Sequence, residues 1–134
     1  MQAAVLDSFA LIAYFRGEPC GSGVKDLLRD AGKADRPLHM SEVNYAEVKY
    51  MILRKNGSDA WDKAAELLSA LPIKFHAGTR ELSDLAADFK SRFSISLADA
   101  FAAALAKAIN AQLVTGDPEF KDLQAEIKIH WLAM

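Results

Sequence analysis

Residues 3–8 read Ala-Ala-Val-Leu-Asp-Ser, which places a carboxylate directly after a short apolar run. The apolar run over residues 3–6 is typical of a buried central strand, and a helical pattern that Ser8 can cap follows to about Arg16. A charge that enters a sheet at this point needs a partner or a cation. We therefore expect Asp7 to lie in a functional site.

The rest of the chain alternates short β-type runs with longer helical runs. Further strands are predicted at residues 38–40, 73–76, 112–115 and 127–131. Helices are predicted at residues 25–31, 42–55, 58–71, 79–93 and 98–110, with a short one ending near residue 125. Five strands that alternate with helices predict an α/β fold with a parallel sheet covered on both faces.

Local signals refine this pattern. Ser41 and Thr79 are good N-caps for the helices that follow them, and Ser58 or Asp59 can cap the helix over residues 58–71. The segment over residues 18–23 contains Pro19, Gly21 and Gly23, which predicts a loop. In the helix over residues 42–55, one apolar stripe is formed by Val43, Ala46, Tyr50 and Leu53.

Length and composition exclude several classes of protein. The 134 residues suit a single domain over 1–134, and the content of 51% hydrophobic and 25% charged residues is that of a globular protein. Because 16 basic residues face 18 acidic ones, a broadly basic surface for nucleic acid is excluded. The one cysteine, Cys20, excludes an internal disulfide and a cysteine-based zinc site. No targeting segment or apolar run of about 18 residues is visible, so we expect a cytoplasmic protein without a membrane span.

Four acids follow strand ends or lie near helix starts in separate parts of the chain: Asp7, Glu47, Asp99 and Asp117. In open parallel sheets, ligands bind beyond the carboxyl ends of the strands. If the first and fourth strands are adjacent, all four acids could converge in one cleft. Taken singly, each has a plainer interpretation as a cap, a turn residue or a solvated helix residue.

Converging carboxylates repel one another, so they raise some pKa values or require a cation. A set of oxygen ligands without histidine or cysteine suits Mg²⁺ or Mn²⁺. Such an ion can polarise a phosphate and activate a water. This chemistry needs no serine, histidine or cysteine nucleophile, and the sequence offers no convincing candidate for one.

Four short segments carry a family resemblance. They are Val-Leu-Asp-Ser at residues 5–8, Met-Ser-Glu-Val-Asn-Tyr-Ala-Glu at 40–47, Leu-Ala-Asp-Ala at 97–100 before an alanine-rich helix, and Leu-Val-Thr-Gly-Asp-Pro-Glu-Phe at 113–120. In this order they resemble the PIN-domain ribonucleases, and most of all the VapC toxins of bacterial and archaeal toxin–antitoxin pairs. The resemblance implies a PIN-like three-layer α/β/α sandwich whose five parallel strands have the order 3-2-1-4-5.

The resemblance also implies an endoribonuclease that depends on Mg²⁺ or Mn²⁺. It assigns the metal-binding and catalytic carboxylates to Asp7, Glu47, Asp99 and Asp117, with Ser8 and Thr115 in supporting roles. Two further acids compete for places in this site. Glu42 follows the capping Ser41 and is expected to point to the helix N-terminus, so Glu47 is preferred, and Glu119 is expected at most to support the ligands.

The implied partners are an RNA substrate, a cognate antitoxin and a second copy of the chain. The antitoxin is expected to cover an apolar groove, for which Phe9, Ile12, Tyr14 and Phe15 are candidates, although core packing explains at least half of them. Two alternatives stay open. The chain could be a PIN-like binding module that has lost catalysis, or a housekeeping nuclease that processes RNA or DNA.

Overall fold

The computed structural model describes residues 2–133, so Met1 and Met134, which the single-domain prediction includes, lie outside the described residues. The strands are β1 (Ala4–Leu6), β2 (Leu38–Ser41), β3 (Ile73–His76), β4 (Gln112–Thr115) and β5 (Ile129–Trp131). The helices are α1 (Ser8–Arg16), α2 (Gly21–Ala34), α3 (Glu42–Asn56), α4 (Ser58–Ser69), α5 (Arg80–Arg92) and α6 (Leu97–Ala108), with a 3₁₀ helix at Pro118–Leu123. None of these helices is both long and apolar enough to cross a bilayer.

The five strands form one parallel sheet in the order β3-β2-β1-β4-β5, which confirms the predicted order. β1 is the central strand, because Val5 pairs with His39 of β2 on one side and with Leu113 of β4 on the other. The carboxyl ends of β1 and β4 therefore lie side by side. This adjacency is the condition that the predicted cleft requires.

Helices cover both faces of the sheet and give three layers. Ala4 and Leu6 of β1 pack into a core with buried side chains of α1 to α4, whereas Val5 packs into a second core with α5 and α6. These three residues are at most 2% exposed, as expected of a central strand that is buried on both faces. Every residue of α6 from Asp99 to Ala106 is also buried, and its many alanines allow close approach of the neighbouring elements.

Three local predictions were wrong in detail. The N-cap of α1 is Asp7 instead of Ser8, and α4 begins after Gly57 without a side-chain cap. Gly21 lies in the first turn of α2 instead of a loop. A Cβ at this position would meet the Ala13 carbonyl oxygen at 2.5 Å, so the glycine allows α2 to approach α1 closely.

The buried face of α3 also differs from the predicted apolar stripe. Asn44, Val48 and Ile52 are buried, whereas Tyr50 is 48% and Leu53 38% exposed. This orientation buries Val48 and Ile52 and gives the buried Asn44 amide hydrogen-bond partners inside the protein. An apolar part of α3 is consequently left on the surface.

Candidate metal centre

Each of the four predicted acids is positioned at the end of the sheet where β1 and β4 terminate. Asp7 follows β1 and caps α1, and Asp117 follows β4 and caps the 3₁₀ helix. Asp99 lies in the first turn of α6, where the Ser96 hydroxyl caps the helix by accepting a hydrogen bond from the Asp99 N–H at 3.1 Å. Glu47 lies farther along α3.

A surface cavity of about 350 Å³ brings most of these residues together. Glu47, Asp99 and Asp117 line it with Ser8, Ser96 and Arg16, among others. Arg16 is the one basic residue in the lining, as far as residues 2–133 are concerned. Glu42 does not contribute to the lining and is exposed, so the geometry favours Glu47 over Glu42.

Asp7 lies beneath the cavity instead of in its lining, and its side chain is buried. One carboxylate oxygen accepts the Ala10 N–H at 2.8 Å, and the other accepts the Thr115 hydroxyl. The pKa of Asp7 is raised to about 7, and burial is the main cause. The charges of Asp99 and Asp117 also raise it, whereas the two hydrogen bonds lower it.

Thr115 connects two of the acids. Its hydroxyl donates to the Asp7 carboxylate and accepts the Asp117 N–H at 3.0 Å, while the Asp117 side chain accepts the Glu119 N–H at 2.9 Å. Thr115 is fully buried. Its hydroxyl, which was predicted to support the site, therefore links Asp7 after β1 with Asp117 after β4.

Asp99 is nearly buried, with 9% of its surface exposed. Burial raises its pKa to about 6, and the negative charges of Asp117, Glu47 and Glu119 add to this rise. Repulsion among the carboxylates is thus expressed at both Asp7 and Asp99. A bound cation would relieve it.

Among the residues that the structure describes, the group of carboxylates close enough to share a metal ion differs from the predicted set. Asp99, Asp117 and Glu119 each offer an oxygen that lies within 4.8 Å of the others. Glu119, which the sequence placed in a supporting position at most, belongs to this group, whereas the predicted ligands Asp7 and Glu47 do not. Within residues 2–133, neither histidine nor cysteine lines the cavity, so the donor set consists of oxygen atoms and fits Mg²⁺ or Mn²⁺ better than zinc.

Asn44 has a place at the site that the sequence did not reveal. It is fully buried, and its side-chain N–H groups donate to the Ser8 hydroxyl at 3.0 Å and to the Ala98 carbonyl at 3.1 Å. The available signal was a polar residue three positions after the N-cap Ser41, where side chains often join the cap. That signal reveals the bond with Ser41 but neither of the two distant partners.

Comparisons with known proteins agree with this architecture, although the chain matches no curated protein sequence. A structure of VapBC2 from Rickettsia felis, bound to a DNA fragment from its promoter, superposes with a TM-score of 0.77 at 15% identity, covering 98% of this chain and 99% of that one. DNA-bound VapBC from Salmonella typhimurium gives a TM-score of 0.76 at 12% identity, with 97% and 98% covered. VapC20 of Mycobacterium tuberculosis, a toxin that cleaves the sarcin–ricin loop, gives 0.71 at 17% identity, with 93% and 96% covered.

These likenesses show a shared fold that extends over nearly the whole chain. The sequence itself matches a family model for the PIN domain over residues 4–126. That range contains all four predicted acids and the whole sheet except β5. Because the match spans most of its length, the chain belongs to the PIN domain family.

Proposed function

We propose that this protein is a divalent-metal-dependent endoribonuclease that acts as the toxin of a toxin–antitoxin pair. The observation that carries the proposal is the convergence of acids from α3, α6 and the segment after β4 at one cavity, with Asp7, directly after β1, buried close to Asp99 and Asp117. Two of these acids have raised pKa values because they are buried among other carboxylates. Such an arrangement is costly for folding alone and is typical of functional sites.

Asp99 and Asp117 are the proposed first ligands, because they belong both to the close group with Glu119 and to the cavity lining with Glu47. The buried Asp7 lies near both of them. Mg²⁺ or Mn²⁺ bound there would supply Lewis-acid polarisation of a phosphodiester and activation of the attacking water. The chain's own residues fix the geometry for this chemistry. Thr115 holds Asp7 in place through a hydrogen bond, and the Ser96 cap fixes the first turn of α6, which carries Asp99.

Arg16 is the proposed contact for an RNA phosphate beside the acids. It lines the cavity, and its one described hydrogen bond, to the Asn56 side chain, is long at 3.4 Å and exposed. A guanidinium can bind a phosphate with two parallel hydrogen bonds. The proposed complex thus places one phosphate between a cationic side chain and the carboxylates.

Water is the proposed nucleophile, since neither Ser8 nor Cys20 is paired with a base at the cavity. The Ser96 hydroxyl lies beside Asp99 in the lining but caps the N-terminus of α6. The Ser8 hydroxyl is bonded to the amide and the backbone carbonyl of Asn44, not to a base. Cys20 is buried outside the cavity lining. Hydrolysis by an activated water is therefore the reaction that this set of residues supports best.

The toxin role is supported by two observations. Among the structures with the same fold, one is described as a toxin–antitoxin complex, one as a member of a family of toxin–antitoxin systems and one as a toxin. In addition, a second cavity between α1, α3 and α4, lined by Phe15, Ile52, Ala64 and Leu67, adjoins the acidic cavity at Arg16. An antitoxin segment that occupies this cavity, whose lining also includes Asn56 and Lys63, would lie beside the acidic cavity. The exposed Tyr50 and Leu53 of α3 are the proposed surface for a second copy of the chain.

Two measurements test the proposal. The purified protein should cleave RNA in Mg²⁺ or Mn²⁺ and lose this activity in EDTA; cleavage that persists in EDTA would contradict the metal requirement. Induced expression in a bacterial host should arrest growth, and Asp99→Asn should abolish the arrest. Harmless expression of a protein that cleaves RNA in vitro would instead favour a housekeeping nuclease.

A further inference from the structure

Asn44 is among the largest fully buried side chains of the protein, yet it is polar. Both N–H groups and the oxygen of its side-chain amide have hydrogen-bond partners. The two side-chain N–H groups donate to Ser8 Oγ at 3.0 Å and to the Ala98 carbonyl at 3.1 Å, and the side-chain oxygen accepts the Ser41 hydroxyl. Two of these partners lie 36 and 54 residues away along the chain, so the amide joins distant elements.

The partners of Asn44 are the chain neighbours of the acids. Ser8 directly follows Asp7, and Ala98 directly precedes Asp99. Glu47 lies three residues beyond Asn44 on α3, which places the two side chains on neighbouring positions of one helix face. One buried amide therefore connects the three elements that carry Asp7, Glu47 and Asp99.

We propose that Asn44 is a positioning residue that sets the spacing of these three carboxylates and thereby the affinity of the site for a divalent metal. This inference deepens the proposed function and rests on it. Asn44 acts through Ser8 and Ala98 and does not touch the metal or the substrate. Groups that orient metal ligands in this way commonly change metal affinity by about 10- to 100-fold when they are removed.

The chemistry of the position favours an amide. Two donors and one acceptor are needed at once, because the Ala98 carbonyl can only accept, whereas the Ser41 hydroxyl donates. Aspartate supplies no donor when ionised, and serine or threonine supplies only one. Leucine has nearly the same size as asparagine but makes none of these hydrogen bonds. Asn44→Leu therefore removes the hydrogen bonds while it keeps the side-chain volume.

The test compares Mn²⁺ binding to folded variants by isothermal titration calorimetry. Asn44→Leu is expected to bind Mn²⁺ about 10-fold more weakly than the unmodified protein. Leu82→Ala is the control, because it removes a buried side chain of α5 that belongs to the other core and does not line the acidic cavity. It is expected to be less stable but to keep the original Mn²⁺ affinity.

Each outcome decides the inference. Unchanged Mn²⁺ affinity in folded Asn44→Leu would overturn it, as would an equal loss in Leu82→Ala. Asn44→Ser, which keeps one hydroxyl, serves the same comparison if Asn44→Leu does not fold, with a loss of affinity again expected. If the unmodified protein binds no Mn²⁺, the proposed metal site fails, and the inference fails with it.

Discussion

The Thr115 hydroxyl donates a hydrogen bond to the Asp7 carboxylate across the adjacent strands β1 and β4. Residues 7 and 115 are far apart in sequence, and only the sheet order brings them together. The bond lowers the pKa of Asp7 against the stronger effect of burial, which raises it to about 7. A hydroxyl on the neighbouring strand thus contributes, together with burial, to the ionisation of Asp7.

Replacing Thr115 with valine should raise the pKa of Asp7 further. The substitution keeps the shape of the side chain but removes the donor that stabilises the ionised carboxylate. An NMR titration of the Asp7 carboxyl carbon in EDTA should show a midpoint above that of the unmodified protein. Thr115→Ser retains the hydroxyl and should keep the original midpoint; equal midpoints for valine and threonine would refute the role of the bond.

Asp7→Asn should stabilise the metal-free protein above neutral pH. The pKa of Asp7 is about 7 in the folded protein, above its ordinary value of 3.8. Because the folded protein holds this proton more tightly than the unfolded chain does, the free energy of unfolding falls as the pH rises between these two values. Asparagine does not ionise, so Asp7→Asn should have a free energy of unfolding about 2–4 kcal/mol higher than the unmodified protein at pH 8. Urea unfolding in EDTA at pH 5 and pH 8 measures the gain, which should shrink at pH 5. A gain that is the same at both pH values would contradict the assigned ionisation.

The sequence revealed the parts of the fold that local signals control. The apolar run before Asp7 predicted a central strand, and the caps at Ser41 and Thr79 predicted helix starts that the structure confirms. The same signals could not predict the role of Asn44 or Gly21. The bonds of Asn44 to Ser8 and Ala98, and the contact of Gly21 with α1, exist only after distant elements have packed.

The composition of the acidic site was also only partly predictable. Strand-end positions indicated Asp7 and Asp117, because the carboxyl ends of parallel strands meet at one edge of the sheet. Positions near helix starts indicated Asp99 and Glu47. Burial depth and side-chain distance are tertiary properties. For this reason the sequence did not show that Asp7 lies beneath the cavity or that Glu119 approaches Asp99 and Asp117.

Arg16→Gln should weaken RNA binding without weakening Mn²⁺ binding. The guanidinium lines the cavity beside the acids, and loss of one phosphate contact should lower the slope of log affinity against log salt by about 1. Fluorescence anisotropy at several salt concentrations, with the inactive Asp99→Asn background, measures this slope. Arg29→Gln is the control, because Arg29 is exposed on α2 and pairs with Asp26 and Asp30. Equal slopes for Arg16→Gln and Arg29→Gln would exclude the proposed contact.

Two glycines of α2 should respond in opposite ways to alanine. Gly21→Ala would place a Cβ 2.5 Å from the Ala13 carbonyl oxygen, and we expect a loss of about 1–3 kcal/mol from the forced separation of α1 and α2. Gly32 has no atom within 4 Å of a Cβ, so Gly32→Ala should stabilise the helix by about 0.5–1 kcal/mol. Chemical denaturation measures both values, and a neutral Gly21→Ala would refute the close approach of the two helices.

The most direct test of the central claim is the rate of RNA cleavage by carboxylate variants in Mn²⁺. Asp99→Asn and Glu47→Gln should each reduce the rate by more than about 100-fold, because both remove a carboxylate from the cavity. Glu42→Gln, a change to an exposed acid of the same helix as Glu47, should leave the rate within about 2-fold of the original, as surface substitutions away from a site usually do. Unchanged cleavage by Asp99→Asn, or equal losses in Glu47→Gln and Glu42→Gln, would contradict the assignment of this cavity as the metal-dependent nuclease site.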